Sequence, residues 1–121
     1  MKFTLESPPG VTIRSTSDGE IRIGKQVWSQ PIALTPAGVL EDWAPVPIES
    51  LTIDDLAILI ETGPELILLG TGNQQLLPDR DLMFAMARRG IGLEVMDTPA
   101  AARTFNVLVG EGRSVAALLF L

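Results

Sequence analysis

Between Glu65 and Phe120 the chain alternates apolar run, amphipathic run, apolar run, amphipathic run, apolar run, and no other feature limits its possible folds so tightly. "ELILL" (65–69) is continuously apolar, as expected of a strand covered on both faces. Segments 92–96 and 114–120 read as two further core strands. The stretches between them read as helices near 79–89 and 98–110. The first helix carries Asp79 and Asp81 early and Arg88–Arg89 late, in accord with the helix dipole, and Gly90 ends it. The second has Thr98 as its expected N-cap and Pro99 at its first position. Two consecutive β-α-β passages imply helices packed on a mostly parallel sheet, with Ile67, Leu69, Val95 and Leu118 in its core.

The first forty residues have a different texture. "VTIRST" and "EIRIGKQV" alternate apolar with polar residues, and the intervening Asp18–Gly19 pair is a hairpin signal. "PIALT", the turn "PAG" and "VLEDW" follow, so the expectation is an antiparallel meander with Trp28 and Trp43 capping an edge of the core. A short helix should begin after Thr52, with Asp55 three residues on, Leu51 and Leu56 spaced as a hydrophobic staple, and Gly63–Pro64 as the stop.

A chain of 121 residues has room for one such core, so residues 1–121 are expected to form a single domain, with 1–10 as a flexible leading segment. The absence of Cys and His excludes disulfides, thiol nucleophiles, Cys/His zinc sites and imidazole bases, leaving carboxylates or Lys2 and Lys25 for acid–base work. No catalytic residue, metal site or cofactor is assigned. The net charge of −6 argues against an electrostatic grip on nucleic acid. No apolar run approaches the roughly 20 residues of a membrane-spanning helix, and the start resembles neither a signal nor a transit peptide, so the expected location is the cytoplasm.

"GTGNQQLLPDRD" follows the strand at 65–69 and invites comparison with phosphate-binding turns. A dinucleotide fingerprint needs three glycines as G-x-G-x-x-G with the helix starting at once. Here only Gly70 and Gly72 are present and the helix waits until about Asp79. The Gly-Lys-Ser/Thr ending of a nucleoside triphosphate loop is missing too. What remains is a glycine-bearing strand exit beside the exit at Met96-Asp97-Thr98. Such exits form the crevice where open α/β sheets bind ligands.

Charge is unevenly placed. Between Lys25 and Arg80 there is no Lys or Arg, whereas Glu41, Asp42, Glu49, Asp54, Asp55, Glu61, Glu65 and Asp79 all fall in or at the border of that interval. Such a surface keeps a protein soluble and also suits a basic partner. Asp42, Glu49 and Glu61 are the candidate partner-binding residues. Asp54 and Asp55 are explained as helix-start carboxylates.

The series "PELILLGTGNQQLLPDRDL" and "RRGIGLEVMDTPAAARTFNVLVGEGRSVAALLFL" resembles a family of small domains. It is shared by uncharacterised bacterial and archaeal proteins, a mitochondrial respiratory complex I assembly factor and an adipogenesis-associated animal protein. The resemblance runs from about Gly10 to the end. Phe105 stands where the family commonly has Tyr, so no phenolic hydroxyl is required there. It implies an α/β, three-layer fold with a mixed central β-sheet, mostly parallel with one antiparallel strand, and an N-terminal antiparallel β subdomain. It implies no reaction and no catalytic residues.

The candidate ligand-binding set is Gly70, Thr71, Gly72, Asn73, Asp97, Thr98, Asn106 and Arg113. Thr98 doubles as the expected cap, Asn106, inside its helix, is expected to hydrogen-bond to the neighbouring loop, and Arg113 is expected to pair with Glu111 or Asp97 or to meet an anion. A protein-interaction or assembly module ranks first among the functions, possible relation to respiratory complex assembly included. Small-molecule or anion binding at 70–73 and 96–98 ranks second, and a carboxylate-only enzyme third.

Overall fold

The computed structural model describes residues 10–17 and 19–121. Most of the leading segment expected to be flexible, and Asp18 of the expected hairpin turn, lie outside the described residues.

The helices and parallel strands of the C-terminal half form where their periodicity puts them. β6 (Leu66–Thr71), β7 (Gly92–Met96) and β8 (Val115–Phe120) pair in parallel, with β6 between the other two. α2 (Arg80–Arg88) links β6 to β7, and α3 (Thr98–Gly110) links β7 to β8. The second connection travels back across β6. Right-handed crossovers that move in opposite directions place their helices on opposite faces of the sheet.

The two faces are visible in the packing. Leu68, Val115, Ala117 and Leu119 share one apolar cluster with Ala101, Ala102, Phe105 and Val109 of α3. Ile67, Leu69, Ala116 and Leu118, the alternate residues of the same strands, share the other with Leu82 and Met86 of α2. Ile67 and Leu118 are fully buried and Leu69 is buried. Val95 is only half-buried, because β7 is the edge of the sheet and has a neighbour on one side alone.

The mostly parallel sheet is corrected. The central sheet runs β5-β4-β8-β6-β7, and β4 (Ile32–Thr35) pairs antiparallel with both β8 and β5 (Gly38–Val39). With β1 (Ile13–Ser15), β2 (Ile21–Ile23) and β3 (Gln26–Trp28), which form a separate antiparallel sheet, four of the six strand pairings are antiparallel. The fold is a mixed α/β one. The expected meander therefore ends at β3. β4 leaves it because all four of its residues are buried, which an interior position between two strands satisfies and a one-sided sheet does not. β1 and β2 keep the half-buried pattern, with Ile13 and Ile21 inside and Arg14 and Arg22 outside.

The helix expected after Thr52 is tighter and shorter than an ordinary α-helix. A 3-10 turn at Ile53–Leu56 runs into α1 (Ala57–Ile60), a single α turn. The Asp55 carboxylate accepts from the Thr52 amide at 2.8 Å and from its hydroxyl at 3.0 Å, tying down the start, and Leu51 and Leu56 are both buried. Trp43 packs beside this turn. Its indole donates to the Asp55 carbonyl at 2.9 Å, and its ring meets Phe120 edge-on at 6.4 Å.

Candidate functional site

The glycine-bearing exit of β6 and the start of α3 meet, as the sequence suggests, but their polar groups are spent on each other. Gly70 has no Cβ, and one placed there would lie 2.9 Å from Thr98 Oγ1 and 3.0 Å from Thr98 Cα. The missing side chain lets α3 begin directly over the strand end. Thr98, 2% exposed, then accepts from the Gly72 amide at 2.8 Å and donates to the Phe120 carbonyl at 2.5 Å. Its own amide donates to the Gly72 carbonyl at 2.8 Å. Gly72 adopts φ +93°, a conformation that side chains rarely tolerate.

Thr98 thus stitches β6 to β8 across the point where a ligand crevice would open. It is not the N-cap. That position is taken by Asp97, whose carboxylate accepts from the Ala100 amide at 2.8 Å, with Thr98 and Pro99 following inside the helix. The shift by one residue follows from burial: Thr98 is held between two strand ends and its hydroxyl cannot reach back to its own helix. Thr71 behaves similarly, donating to the Gln74 carbonyl and accepting from the Leu76 amide, which curls the exit loop. Asn73 alone of the loop candidates is exposed.

Asn106 and Arg113 are not part of this cluster. Asn106 lies eight residues along α3 from Thr98, about 12 Å away at 1.5 Å per residue. Its side-chain amide brackets Ile13, accepting from the backbone N–H at 2.8 Å and donating to the carbonyl at 2.9 Å. It imitates a neighbouring strand and so fastens the three-stranded sheet to α3. Arg113 precedes β8 and therefore sits at the opposite end of the sheet, roughly 20 Å from Phe120 at about 3.3 Å per residue. It pairs with Glu65 at 2.7 Å, rather than with Glu111 or Asp97, because the parallel register of β6 and β8 brings their starts together.

A different part of the surface is open. A hollow of about 390 Å³ is bordered by Asp42, Asp54, Asp55, Glu61, Trp43 and Ile58 among others. Two of the three partner candidates, Asp42 and Glu61, meet here. Among the described residues none of these four carboxylates has a cationic partner. Asp54 and Asp55 were assigned only to the helix start; chain folding, which turns the segment after Trp43 back onto α1, adds them to the hollow. Glu49 stands apart, in a different hollow with Ile48, Leu76 and Leu77. Among the described residues no group of three or more His, Cys, Asp or Glu is placed to hold a metal ion.

Sequence reasoning missed an exposed apolar cluster. Leu77 is 83% exposed and Leu76 46%, Met83 borders the same hollow as Leu77, and Phe84, further along α2, is 54% exposed. The signal was available: Leu76 and Leu77 sit in a polar, Pro-terminated stretch, and Met83 and Phe84 fall off the Leu82–Met86 stripe that faces the core.

A mixed sheet with a helix layer on each face, a small antiparallel sheet fastened to one of those helices, and a closed strand-end junction define the class of domain. The family described as "Protein of unknown function (DUF498/DUF598)" matches residues 13–120, and the chain belongs to it. It is similar to the "13 kDa major membrane protein" of Francisella tularensis subsp. holarctica (strain LVS), 33% identical over 93 residues that cover 76% of each chain. It is also similar to the bovine "NADH dehydrogenase [ubiquinone] 1 alpha subcomplex assembly factor 3", 35% identical over 117 residues. That match covers 94% of this chain and 62% of the bovine protein, so this chain corresponds to under two thirds of that relative's length. The solved structure of XCC1710 from Xanthomonas campestris superposes with a TM-score of 0.83 at 36% identity, covering 96% of this chain and 89% of the other. No helix among the described residues is long and apolar enough to cross a membrane.

Proposed function

We propose that this chain is a non-catalytic protein-interaction module of the assembly-factor kind, acting in the cytoplasm on a basic protein partner. One observation carries the reading: the hollow between Trp43 and α1 gathers four carboxylates that have no cationic partner among the described residues. The charge of Asp42, Asp54 and Glu61 is available to a lysine- or arginine-bearing segment, Asp55 being held by Thr52, and the half-buried Ile58 offers apolar surface for its aliphatic stem. The assembly-factor relative adds weight, and a subunit of a respiratory complex is the first partner to seek. The test is affinity capture from the native cell with mass spectrometry. Reversal of Asp42 and Glu61 to Lys should release the partner, and raised salt should weaken its capture. Retention under both conditions would rule out acidic docking. Turnover that disappears in a folded Asp97→Asn protein would overturn the non-enzymatic reading itself.

Anion or small-molecule binding at residues 70–73 and 96–98 ranks second. The amides of Gly72 and Thr98 already have acceptors within the chain, and an anion would have to displace them. Saturable shifts of the Thr71–Gln74 and Thr98 amide resonances on adding phosphate compounds would promote it.

A further inference from the structure

The central sheet ends on one side at β5, only two residues long, and on the other at β7, five residues long. A free edge of the second kind is a template on which another copy of the chain can add a strand, whereas the first is too short to hold one. The parallel register of β7 on β6, with the Gly92 amide bonded to the Glu65 carbonyl, turns the backbone groups of Gly92, Glu94 and Met96 toward β6. Those of Leu93 and Val95 therefore face outward. Among the described residues, the Leu93 N–H, the Leu93 carbonyl and the Val95 N–H have no hydrogen-bond partner.

Two side chains occupy this edge. The Gln75 side-chain amide, from the loop that leaves β6, donates to the outward Val95 carbonyl at 3.0 Å, as a neighbouring strand would. Glu94 is exposed and has no ion-pair partner among the described residues.

Two β7 edges can add antiparallel about a two-fold axis, and the best-bonded register puts Glu94 on that axis. Each Leu93 then exchanges both backbone bonds with Val95 of the other copy. That register sets Glu94 directly against its counterpart, at the close spacing of a non-hydrogen-bonded pair, where like charges repel. Half of its bonds also need the Val95 carbonyls that Gln75 holds. Moving the axis to Val95 puts both of those carbonyls in the central bonds. Moving it to Leu93 sets the Ile91 N–H, already bonded to the Met86 carbonyl, against Val95.

We propose that Glu94 and Gln75 guard the β7 edge against a second copy of this chain. Gln75 occupies a bonding group that every well-paired register needs, and Glu94 penalises the register that would still form most bonds. The guard discriminates by charge, since a strand that sets Lys or Arg opposite Glu94 turns the same contact from repulsive to attractive.

The test is analytical ultracentrifugation of the intact chain and its variants at millimolar concentration, with hydrogen exchange at the Leu93 and Val95 amides to locate any contact. In the unaltered chain both amides should exchange at a rate independent of protein concentration. Gln75→Ala/Glu94→Thr should associate and slow both amides tenfold or more relative to its dilute state. Its melting temperature when dilute should be unchanged, because both side chains are exposed. Gln75→Ala and Gln75→Ala/Glu94→Lys should each stay apart alone, whereas an equimolar mixture of the two should pair with the same protection. The proposal is overturned if the unaltered chain already slows these amides as its concentration rises, or if Gln75→Ala/Glu94→Thr leaves them unprotected. It is equally overturned if the mixture protects them no more than either variant alone.

Discussion

The strand-end junction and the acidic hollow both contain residues that the sequence offers as binding candidates, yet they differ in what their polar groups do. At the junction, Thr98 joins Gly72 to Phe120 from a buried position, and each hydrogen-bonding group has a partner within the chain. In the hollow, Asp42 and Glu61 are exposed and have no cation to pair with among the described residues. Interaction capacity belongs where charge is left unspent. Glycines and hydroxyls at a strand exit can be structural through and through.

Substitutions at the junction should cost stability, and those in the hollow should not. The largest effect is expected from Thr98→Val, which keeps the shape but strips the Gly72 amide of its acceptor and the Phe120 carbonyl of its donor. The loss should be about 2–4 kcal/mol in urea unfolding, from one to a few kcal/mol for each buried group left unpaired. A cost under about 1 kcal/mol would mean that the junction is looser than its geometry.

Gly70→Ala comes next, at about 1–3 kcal/mol, because the new methyl group would press on Thr98. Combined with Thr98→Ala it should cost less than the sum of the two single changes, since one crowded contact disappears. Strict additivity would separate Gly70 from Thr98. Asn106→Ala should cost a similar or smaller amount, about 1–2 kcal/mol. Its signature is faster hydrogen exchange at the Ile13 amide, with the central sheet unaffected. Exchange rising evenly throughout the chain would mean that the small sheet does not loosen by itself.

The smallest stability effect belongs to the hollow. Asp42→Lys and Glu61→Lys should change unfolding free energy by no more than about 0.5 kcal/mol each, as for surface positions without partners. A loss above about 1 kcal/mol in either would make the hollow structural, and the contrast with the junction would fail.

Much of the architecture was legible in local pattern. β6, α2, β7, α3 and β8 form where apolar runs and capped amphipathic runs alternate, and Leu51, Thr52, Asp55 and Leu56 form the expected helix entry. These features are local because burial on two faces, dipole-matched charge and turn chemistry each act within a few residues. The uneven charge was equally plain, since it needs only a count along the chain.

The pairing of strands was not legible to the same degree. β4 could have continued the first meander on the evidence of its neighbours, but four buried residues in a row belong between β5 and β8, and only the assembled sheet offers that place. The same limit applies at single residues. Asp97 and Thr98 are both competent caps, and the choice between them was made by Phe120 and Gly72, which lie 22 and 26 residues from Thr98. Asp42 joins Asp54, Asp55 and Glu61 in one hollow only after the chain turns back on itself. Sequence alone determined which segments would be helix, strand and acidic surface, because those preferences are set by neighbours along the chain. Tertiary structure alone decided which polar groups would be consumed and which left for a partner, because that depends on what distant segments bring within hydrogen-bonding reach.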